Sequence, residues 1–207
     1  MISRTIEVFA DVWCPFTHVG LRMIAGMRDA AGRNDVAIVV RSWPLELVNG
    51  APLGVEKTAG NIDALRVQLS SEMFAGFDPA RFPTTTLPAL DLVARAYSVS
   101  TEIGERMSFA VRDALFEEGE DIGSEEVLRR IAADTGIDFE MEPDHELVHR
   151  DWEEGRRRGV IGSPHFFCGD ENVFCPSLRL SRDENSTLHV VADADRLRDF
   201  VSHCLSD

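Results

Sequence analysis

The chain has 207 residues, 44% of them hydrophobic and 28% charged, which is typical of a globular protein with one large domain or a domain that carries an insertion. Its formal net charge of -15 argues against nucleic acid and anionic membrane surfaces as partners. No apolar run is long enough to cross a bilayer, and the first residues run into a strand pattern without a signal core. We therefore expect a cytoplasmic location.

The N-terminal region has the pattern of a strand, a helix and a second strand. Residues 5–10 form an apolar β-type run, and a helical pattern extends from residue 15 to about residue 31. Pro15 suits the first helical turn because its missing N–H has no partner there. Residues 36–40 are nearly all β-branched, as in buried parallel strands, so the unit predicts a right-handed βαβ crossover.

The middle of the chain, residues 51–159, contains no convincing strand pattern. Helical periodicity recurs at residues 57–74, 88–98, 101–118, 124–135 and 143–158. This pattern predicts a block of about four or five helices with a groove along its edge.

From Gly159 onward the pattern returns to β structure. Residues 162–168 and 173–175 are predicted to be strands joined by a turn, residues 188–191 a short additional strand, and residues 193–204 an amphipathic helix. The two β-containing regions together predict an α/β fold with a four-stranded sheet, interrupted once by the helical block.

Cys14 is the strongest candidate for chemistry. It lies at the strand-to-helix junction, where free backbone N–H groups and the helix macrodipole favour a negatively charged sulfur. Hydrogen bonds from backbone N–H groups and from the Thr17 hydroxyl would add to this effect. We therefore predict that Cys14 is a nucleophile with a lowered pKa. The alternative is a small buried hydrophobic side chain.

Thr17 stands where a second cysteine would complete a Cys-x-x-Cys motif. No disulfide can form within the motif, so a mixed disulfide on Cys14 would persist until another thiol attacks it. Three chemistries remain open: monothiol exchange with a low-molecular-weight thiol, activation of a bound thiol cofactor, and a redox cycle resolved by a distant cysteine.

These features resemble the DsbA-like branch of the thioredoxin superfamily. The resemblance rests on Asp11-Val12-Trp13-Cys14-Pro15-Phe16-Thr17, on Phe116-Glu117-Glu118-Gly119-Glu120-Asp121-Ile122, and on Gly159-Val160-Ile161-Gly162-Ser163-Pro164-His165-Phe166. Relatives of this branch include kappa-class glutathione transferases and 2-hydroxychromene-2-carboxylate isomerases. Fold alone does not choose among these activities.

The resemblance implies both a domain division and roles for particular residues. Residues 1–50 and 160–207 would form a thioredoxin-like domain, and residues 51–159 an inserted helical domain. Pro164 would be a cis-proline at the active site, and Ser163 would hold an extended substrate through its backbone N–H and C=O groups. The alternative for Pro164 is an ordinary proline at the start of a strand.

Residues beside Cys14 are candidate substrate contacts. These are Trp13, Pro15, Phe16 and His18. Aromatic packing explains Trp13 equally well, and His18 contributes only if it turns toward the sulfur. Asp11 is either a proton relay or a cap of the helix.

The other three cysteines, Cys168, Cys175 and Cys204, are too scattered for a structural disulfide framework in a reducing compartment. Cys175 is expected to end the return strand near the level of Pro164, which makes it the candidate resolving cysteine. The alternative is a packed thiol at a strand end. No close ligand pair has zinc spacing, so we expect no metal site.

The leading hypothesis is a DsbA-like thiol-disulfide oxidoreductase of monothiol type, with Cys14, Thr17 and Pro164 in the catalytic roles. One alternative is a thiol-cofactor-dependent isomerase or transferase, and another is a non-catalytic peptide-binding module. We expect no tightly bound cofactor and a small thiol, glutathione-like or mycothiol-like, as co-substrate. The expected partner is a disulfide or thiol substrate, and the expected state is a monomer or homodimer.

Overall fold

The computed structural model describes residues 4–69, 72–139, 145–182, 184 and 188–205. Its strands are β1 (Arg4–Ala10), β2 (Val36–Ser42), β3 (His165–Cys168), β4 (Glu171–Phe174), β5 (Leu178–Arg182) and β6 (Leu188–Ala192). Its helices are α1 (Pro15–Ala30), α2 (Leu45–Asn49), α3 (Val55–Leu69), α4 (Leu87–Val99), α5 (Thr101–Phe116), α6 (Glu125–Thr135), α7 (Glu146–Arg157) and α8 (Ala194–Leu205), with a short 3-10 helix at Pro79–Arg81.

The main sheet has four strands in the order β2-β1-β3-β4. β1 runs parallel to β2 and antiparallel to β3, and β3 pairs antiparallel with β4. The register places Phe9 opposite His165, so the end of β1 lies beside the start of β3. The predicted βαβ unit and the four-stranded sheet interrupted by helices are both confirmed.

The two faces of the sheet are covered by different helices. On one face, Ile6 and Val8 of β1 share a core cluster with Ile24 of α1 and Phe200 of α8. Phe9 points to the other face because side chains alternate along a strand, and there it packs edge-on against Trp43. A Cβ at position 155 would lie 2.7 Å from the Trp43 ring, so glycine is needed for this close approach of α7.

The helices α2 to α7 all lie between β2 and β3 in the chain, as the sequence predicts. The predicted helix at 57–74 ends earlier, at Leu69, and α2 is absent from the prediction. α4 and α5 pack against β2, and the Tyr97 hydroxyl of α4 donates to the Ile38 carbonyl of β2 at 3.0 Å. The domain boundaries at 50 and 160 stay a prediction. None of the described helices is long and apolar enough to cross a membrane.

A second, two-stranded sheet is formed by β5 and β6, which pair antiparallel with Leu178 opposite Ala192. The sequence predicts only the later strand. This hairpin packs against α3, and its Leu178 and Val190 belong to the same core cluster as Trp13 and Cys175. The hairpin therefore contributes to the core beside the start of α1.

Candidate active site

Cys14 occupies the N-cap position of α1, with extended backbone and Pro15 as the first helical residue. The backbone N–H groups of Thr17 and His18 donate to the Cys14 carbonyl oxygen at 3.1 and 3.2 Å, which begins the helix. The Cys14 Sγ donates to the Ser163 carbonyl oxygen at 3.2 Å, and the Ser163–Pro164 peptide bond is cis. The fold thus brings the helix start and the segment before β3 together.

Hydroxyl groups complete this junction. The Thr17 Oγ1 and Ser163 Oγ atoms are 2.9 Å apart and hydrogen-bonded to each other. The Asp11 backbone N–H donates to Ser163 Oγ at 2.9 Å. Thr17 and Ser163 therefore form one polar cluster with Cys14 at the end of the sheet.

The pKa of Cys14 is raised above its usual value, so the prediction of a lowered pKa is wrong for the free protein. The largest cause is burial, because the residue is only 3% exposed and a thiolate loses its hydration there. Hydrogen bonds from Thr17 and Ser163 lower the pKa, and the Asp11 charge raises it again. The donors that the sequence predicts are present, but the loss of water outweighs them.

Asp11 is a fully buried carboxyl group that accepts hydrogen bonds from two segments of the junction. One carboxyl oxygen accepts from the Leu45 N–H at 2.6 Å, and the other accepts from the Trp13 N–H at 3.5 Å. Burial raises the pKa of Asp11 to about 7. Cys14 holds the N-cap position without a side-chain cap hydrogen bond, so the interpretation of Asp11 as the helix cap is wrong.

Arg112 is a site residue that the sequence analysis missed. It lies on α5 with no exposed surface, and its guanidinium donates to the Ser108 carbonyl at 3.0 Å, the Ser108 hydroxyl at 2.7 Å and the Asp11 carbonyl at 3.3 Å. The sequence feature that could have identified it is a charged residue within the apolar stripe of α5, which includes Val111 and Leu115.

Trp13 and His18, two predicted substrate contacts, lie inside the core. Trp13 is stacked on Phe82 with ring centroids 5.5 Å apart. His18 Nε2 is 2.7 Å from a Glu117 carboxyl oxygen, and burial lowers the pKa of this histidine. Neither side chain is exposed, so packing accounts for both in this form of the protein.

Pro15 and Phe16 lie at the start of α1, as predicted. Pro15 is buried, whereas Phe16 is partly buried and packs against the main core cluster. Phe16 is therefore the one of the four predicted contacts that retains surface beside Cys14.

Cys175 follows β4 and lies at the level of Pro164, where its N–H donates to the Pro164 carbonyl at 3.0 Å. It is 3% exposed, and its backbone has a positive φ of 46°, which is unusual for a residue with a side chain. Burial raises the pKa of Cys175 to about 12, with the nearby Cys14 as the second cause. The two thiols are therefore neighbours, and both are free.

Cys168 and Cys204 form a second pair of neighbouring thiols at the other end of β3. The two side chains are hydrogen-bonded, which lowers the pKa of Cys168 and raises that of Cys204. Both belong to the apolar cluster between the sheet and α8.

The Cys14 side chain is almost fully covered by the residues that the structure describes and lies in no open cleft among them, since the residue is only 3% exposed. A cavity of about 680 Å³ lies instead between the end of α1, the start of β2 and α5, lined in part by Arg28, Val36 and Phe109. Among the described residues, no group of three or more histidine, cysteine or carboxylate side chains is placed to hold a metal ion.

Comparisons with known proteins agree on the fold. A probable DsbA oxidoreductase from Streptomyces coelicolor is 17% identical, with a TM-score of 0.67 over 97% of this chain and 89% of that one. A 2-hydroxychromene-2-carboxylate isomerase is 17% identical, with a TM-score of 0.61 over 82% of this chain and 88% of that one. The cytosolic disulfide reductase DsbM from Pseudomonas aeruginosa is 15% identical, with a TM-score of 0.56 over 97% and 98%.

A comparison with curated protein sequences found no match. The family model for the DSBA-like thioredoxin domain, in contrast, matches residues 5–201, nearly the whole chain. With the four-stranded sheet, the helices between β2 and β3 and the Cys14–Pro164 junction, this match shows that the chain belongs to the DSBA-like thioredoxin domain family.

Proposed function

We propose that the protein is a thiol-disulfide oxidoreductase of monothiol type that works through Cys14. The observation that carries the proposal is the position of the Cys14 sulfur at the start of α1, 3.2 Å from the Ser163 carbonyl and next to Pro164. Thr17 occupies the place of a second cysteine and supplies a hydroxyl group in its stead. Cys14, Thr17 and Pro164 are therefore the catalytic residues of this proposal.

The reaction is an exchange in two steps. Cys14–SH and R–S–S–R′ give Cys14–S–S–R and R′–SH, so the cysteine proton ends on the leaving sulfur. An external thiol R″–SH then gives Cys14–SH and R–S–S–R″. Thr17 and Ser163 stabilise the negative charge that the Cys14 sulfur carries during attack, since their hydrogen bonds favour the thiolate.

Ser163 has a second role in this proposal. Its carbonyl oxygen accepts a hydrogen bond from the Cys14 thiol in the resting protein. When the sulfur ionises, that oxygen becomes free to accept a hydrogen bond from the backbone of an extended substrate. Phe16, partly exposed beside it, then offers apolar contact to the substrate.

An external thiol suits the second step better than Cys175 does. Cys175 is buried, and a pKa of about 12 keeps it protonated and a poor nucleophile near neutral pH. The proposal therefore assigns release to a small glutathione-like or mycothiol-like thiol, in a cytoplasmic setting. A Cys14–Cys175 disulfide found by mass spectrometry after reaction would replace this assignment with internal resolution.

The raised pKa of Cys14 favours a second candidate function. A neutral, buried thiol is a hydrogen-bond donor, and with the Thr17 hydroxyl it can orient the sulfur of a bound thiol cofactor. That arrangement supports a thiol-dependent isomerase or transferase. In such an enzyme a hydroxyl group at position 14 does the same work as the thiol.

One pair of variants separates these functions. Turnover of a small disulfide with glutathione is measured for Cys14→Ser and for Cys168→Ala, whose sulfur lies at the far end of β3. The oxidoreductase proposal expects a loss of about 1,000-fold or more in the first variant and a change within about twofold in the second. Disulfide turnover retained in Cys14→Ser would exclude the proposal. Glutathione-dependent isomerase or transferase activity in that variant supports the second candidate.

A peptide-binding module without chemistry is the remaining outcome. It would show no disulfide turnover in the wild-type protein while extended peptides still bind. Because the wild-type protein is the sample, this result does not depend on the folding of any variant.

A further inference from the structure

The guanidinium of Arg112 is a buried cation that forms no salt bridge with any residue that the structure describes. Its terminal nitrogens donate to Ser108 and to the Asp11 carbonyl oxygen, and its Nε–H is buried with no hydrogen-bond partner among the described residues. Burying a charge is unfavourable unless other charges or hydrogen bonds compensate for it. An arginine held in this state therefore calls for an explanation.

The surroundings of Arg112 point toward the Cys14 junction. Four groups interact with its charge: Tyr97 of α4, Asp11 and Cys14 at the junction, and Asp113 of its own helix. Asp113 pairs with Arg22 elsewhere, and the Tyr97 hydroxyl is hydrogen-bonded to β2. Asp11 and Cys14 are thus the ionisable groups at the junction whose negative charge Arg112 can stabilise.

We propose that Arg112 is a positioning residue for the Cys14 chemistry: it holds the turn before Cys14 through the Asp11 carbonyl and balances the negative charge that forms on the sulfur. The inference rests on the proposed function, because it concerns the ionisation of the same thiol. The hydrogen bond fixes the backbone three residues before Cys14. The charge acts through the low-dielectric interior, where electrostatic interactions are stronger than in water.

The positive charge of this arrangement is present near neutral pH. Burial lowers the pKa of Arg112 to about 10, which leaves the guanidinium protonated. Asp11, with a pKa of about 7, is partly neutral there and competes only in part for the cation. Cys175, the other ionisable group beside the sulfur, stays a neutral thiol. A thiolate at Cys14 would therefore find one permanent positive charge nearby.

The test is the pH dependence of Cys14 alkylation by iodoacetamide, read at the Cys14 peptide by mass spectrometry. Arg112→Gln keeps a donor for the Asp11 carbonyl and removes the charge, and Arg112→Met removes both. We expect the apparent pKa of Cys14 to rise in both variants, so that the rate at pH 8 falls about tenfold or more, since one pKa unit is a tenfold change in thiolate. Arg112→Lys keeps a charge and should recover most of the rate.

Arg106→Met is the matched control, because Arg106 is an exposed arginine on the same helix. Its Cys14 profile should equal that of the wild type. Folded Arg112→Gln and Arg112→Met proteins with an unchanged Cys14 profile would overturn the inference, even if their melting temperatures fall. Alkylation needs no turnover, so an unchanged Cys14 profile in these variants would not exclude the proposed function. If the wild-type protein shows no disulfide turnover, the alkylation profiles can still be measured and compared.

A second measurement covers the case in which the neutral variants do not fold. It keeps Arg112 and compares the melting temperatures of Cys14→Asp and Cys14→Asn from pH 4 to pH 6, a range in which Asp11 stays mostly protonated. With Arg112 as the balancing charge, the carboxyl at position 14 ionises at its ordinary pH, and the difference between the two melting temperatures should stay constant over this range. A fall of Cys14→Asp relative to Cys14→Asn by about 5 °C or more, as expected when burial keeps this carboxyl protonated, would contradict the inference.

Discussion

The two ends of β3 each bury a pair of neighbouring thiols, but their surroundings differ. Before the first residue of β3, Cys14 lies beside the hydroxyl groups of Thr17 and Ser163, and Cys175 is the neighbouring thiol. At its last residue, Cys168 contacts Cys204 within an apolar cluster. Burial is nearly complete at both ends, so burial does not distinguish them.

The difference lies in the groups that can respond to a charge on sulfur. At the Cys14 end, two hydroxyls, a backbone N–H, the Asp11 carboxyl and the Arg112 guanidinium all act on the site. At the Cys168 end, the main partner of each thiol is the other thiol, no hydroxyl group is among the main causes of either pKa shift, and the charged groups that act on the pair are Arg4 and Glu171. The comparison shows that the two buried thiol pairs differ in their polar partners and not in their exposure.

The largest expected effect concerns Asp11, the buried carboxyl of the Cys14 end. Its pKa is raised from 3.8 to about 7, so the carboxyl stabilises the fold fully below pH 3.8, and this contribution is lost as pH rises through 7. In Asp11→Asn the contribution is absent. Relative to the wild type, the unfolding free energy of this variant should therefore rise by about 4 kcal/mol between pH 4 and pH 8.

Urea denaturation at a series of pH values measures this difference. Asp63→Asn is the control for the acid-to-amide substitution itself, since the Asp63 side chain is 74% exposed. An Asp11→Asn protein that follows the wild-type pH curve would show that the carboxyl is hydrated in solution, and the contrast between the two ends of β3 would weaken.

A second, smaller effect compares serine substitutions at the two ends. Cys204→Ser places a hydroxyl in an apolar cluster and should lower the unfolding free energy by about 2 kcal/mol. Cys14→Ser places the same group next to Thr17 and Ser163 and should cost less than about 1 kcal/mol. Denaturation midpoints at one pH give both values, and equal costs would mean that the ends do not differ in polarity.

The smallest expected effect separates stability from chemistry at the Cys14 end. Thr17→Val removes the hydroxyl that bonds Ser163, which should cost about 1 kcal/mol and raise the pKa of Cys14 further. Thr58→Val removes a buried hydroxyl of α3 that donates to the Gly54 carbonyl just before the helix, at 3.2 Å, and should have a similar cost. Only the first variant should slow Cys14 alkylation. Equal rates in both would remove Thr17 from the mechanism.

Local pattern was enough to predict most of the fold. The β-branched run at 36–40 and the helix beginning at Pro15 are short-range signals, and both elements appear where predicted. β5 was missed although Leu178 and Leu180 alternate with polar residues, a period of two that the sequence displays. Its partner β6 was predicted without it, so the hairpin could have been found.

The electrostatics of the site could not be read from local pattern. The raised pKa of Cys14 depends on how closely the surrounding segments exclude water, and Arg112 reaches Asp11 across 101 residues of sequence. Likewise, Cys168 and Cys204 meet because α8 folds back onto the sheet. The position of Cys14 is a local property of the strand-to-helix junction, whereas its protonation depends on the whole fold.

The central claim is that Cys14 is the sulfur at which disulfide exchange takes place. The most direct measurement is to react the native wild-type protein with glutathione disulfide and to locate the adduct by peptide mass spectrometry. The account predicts a mixed disulfide on Cys14 that added glutathione removes. Glutathione found on Cys168 or Cys204 while Cys14 stays unmodified would contradict it.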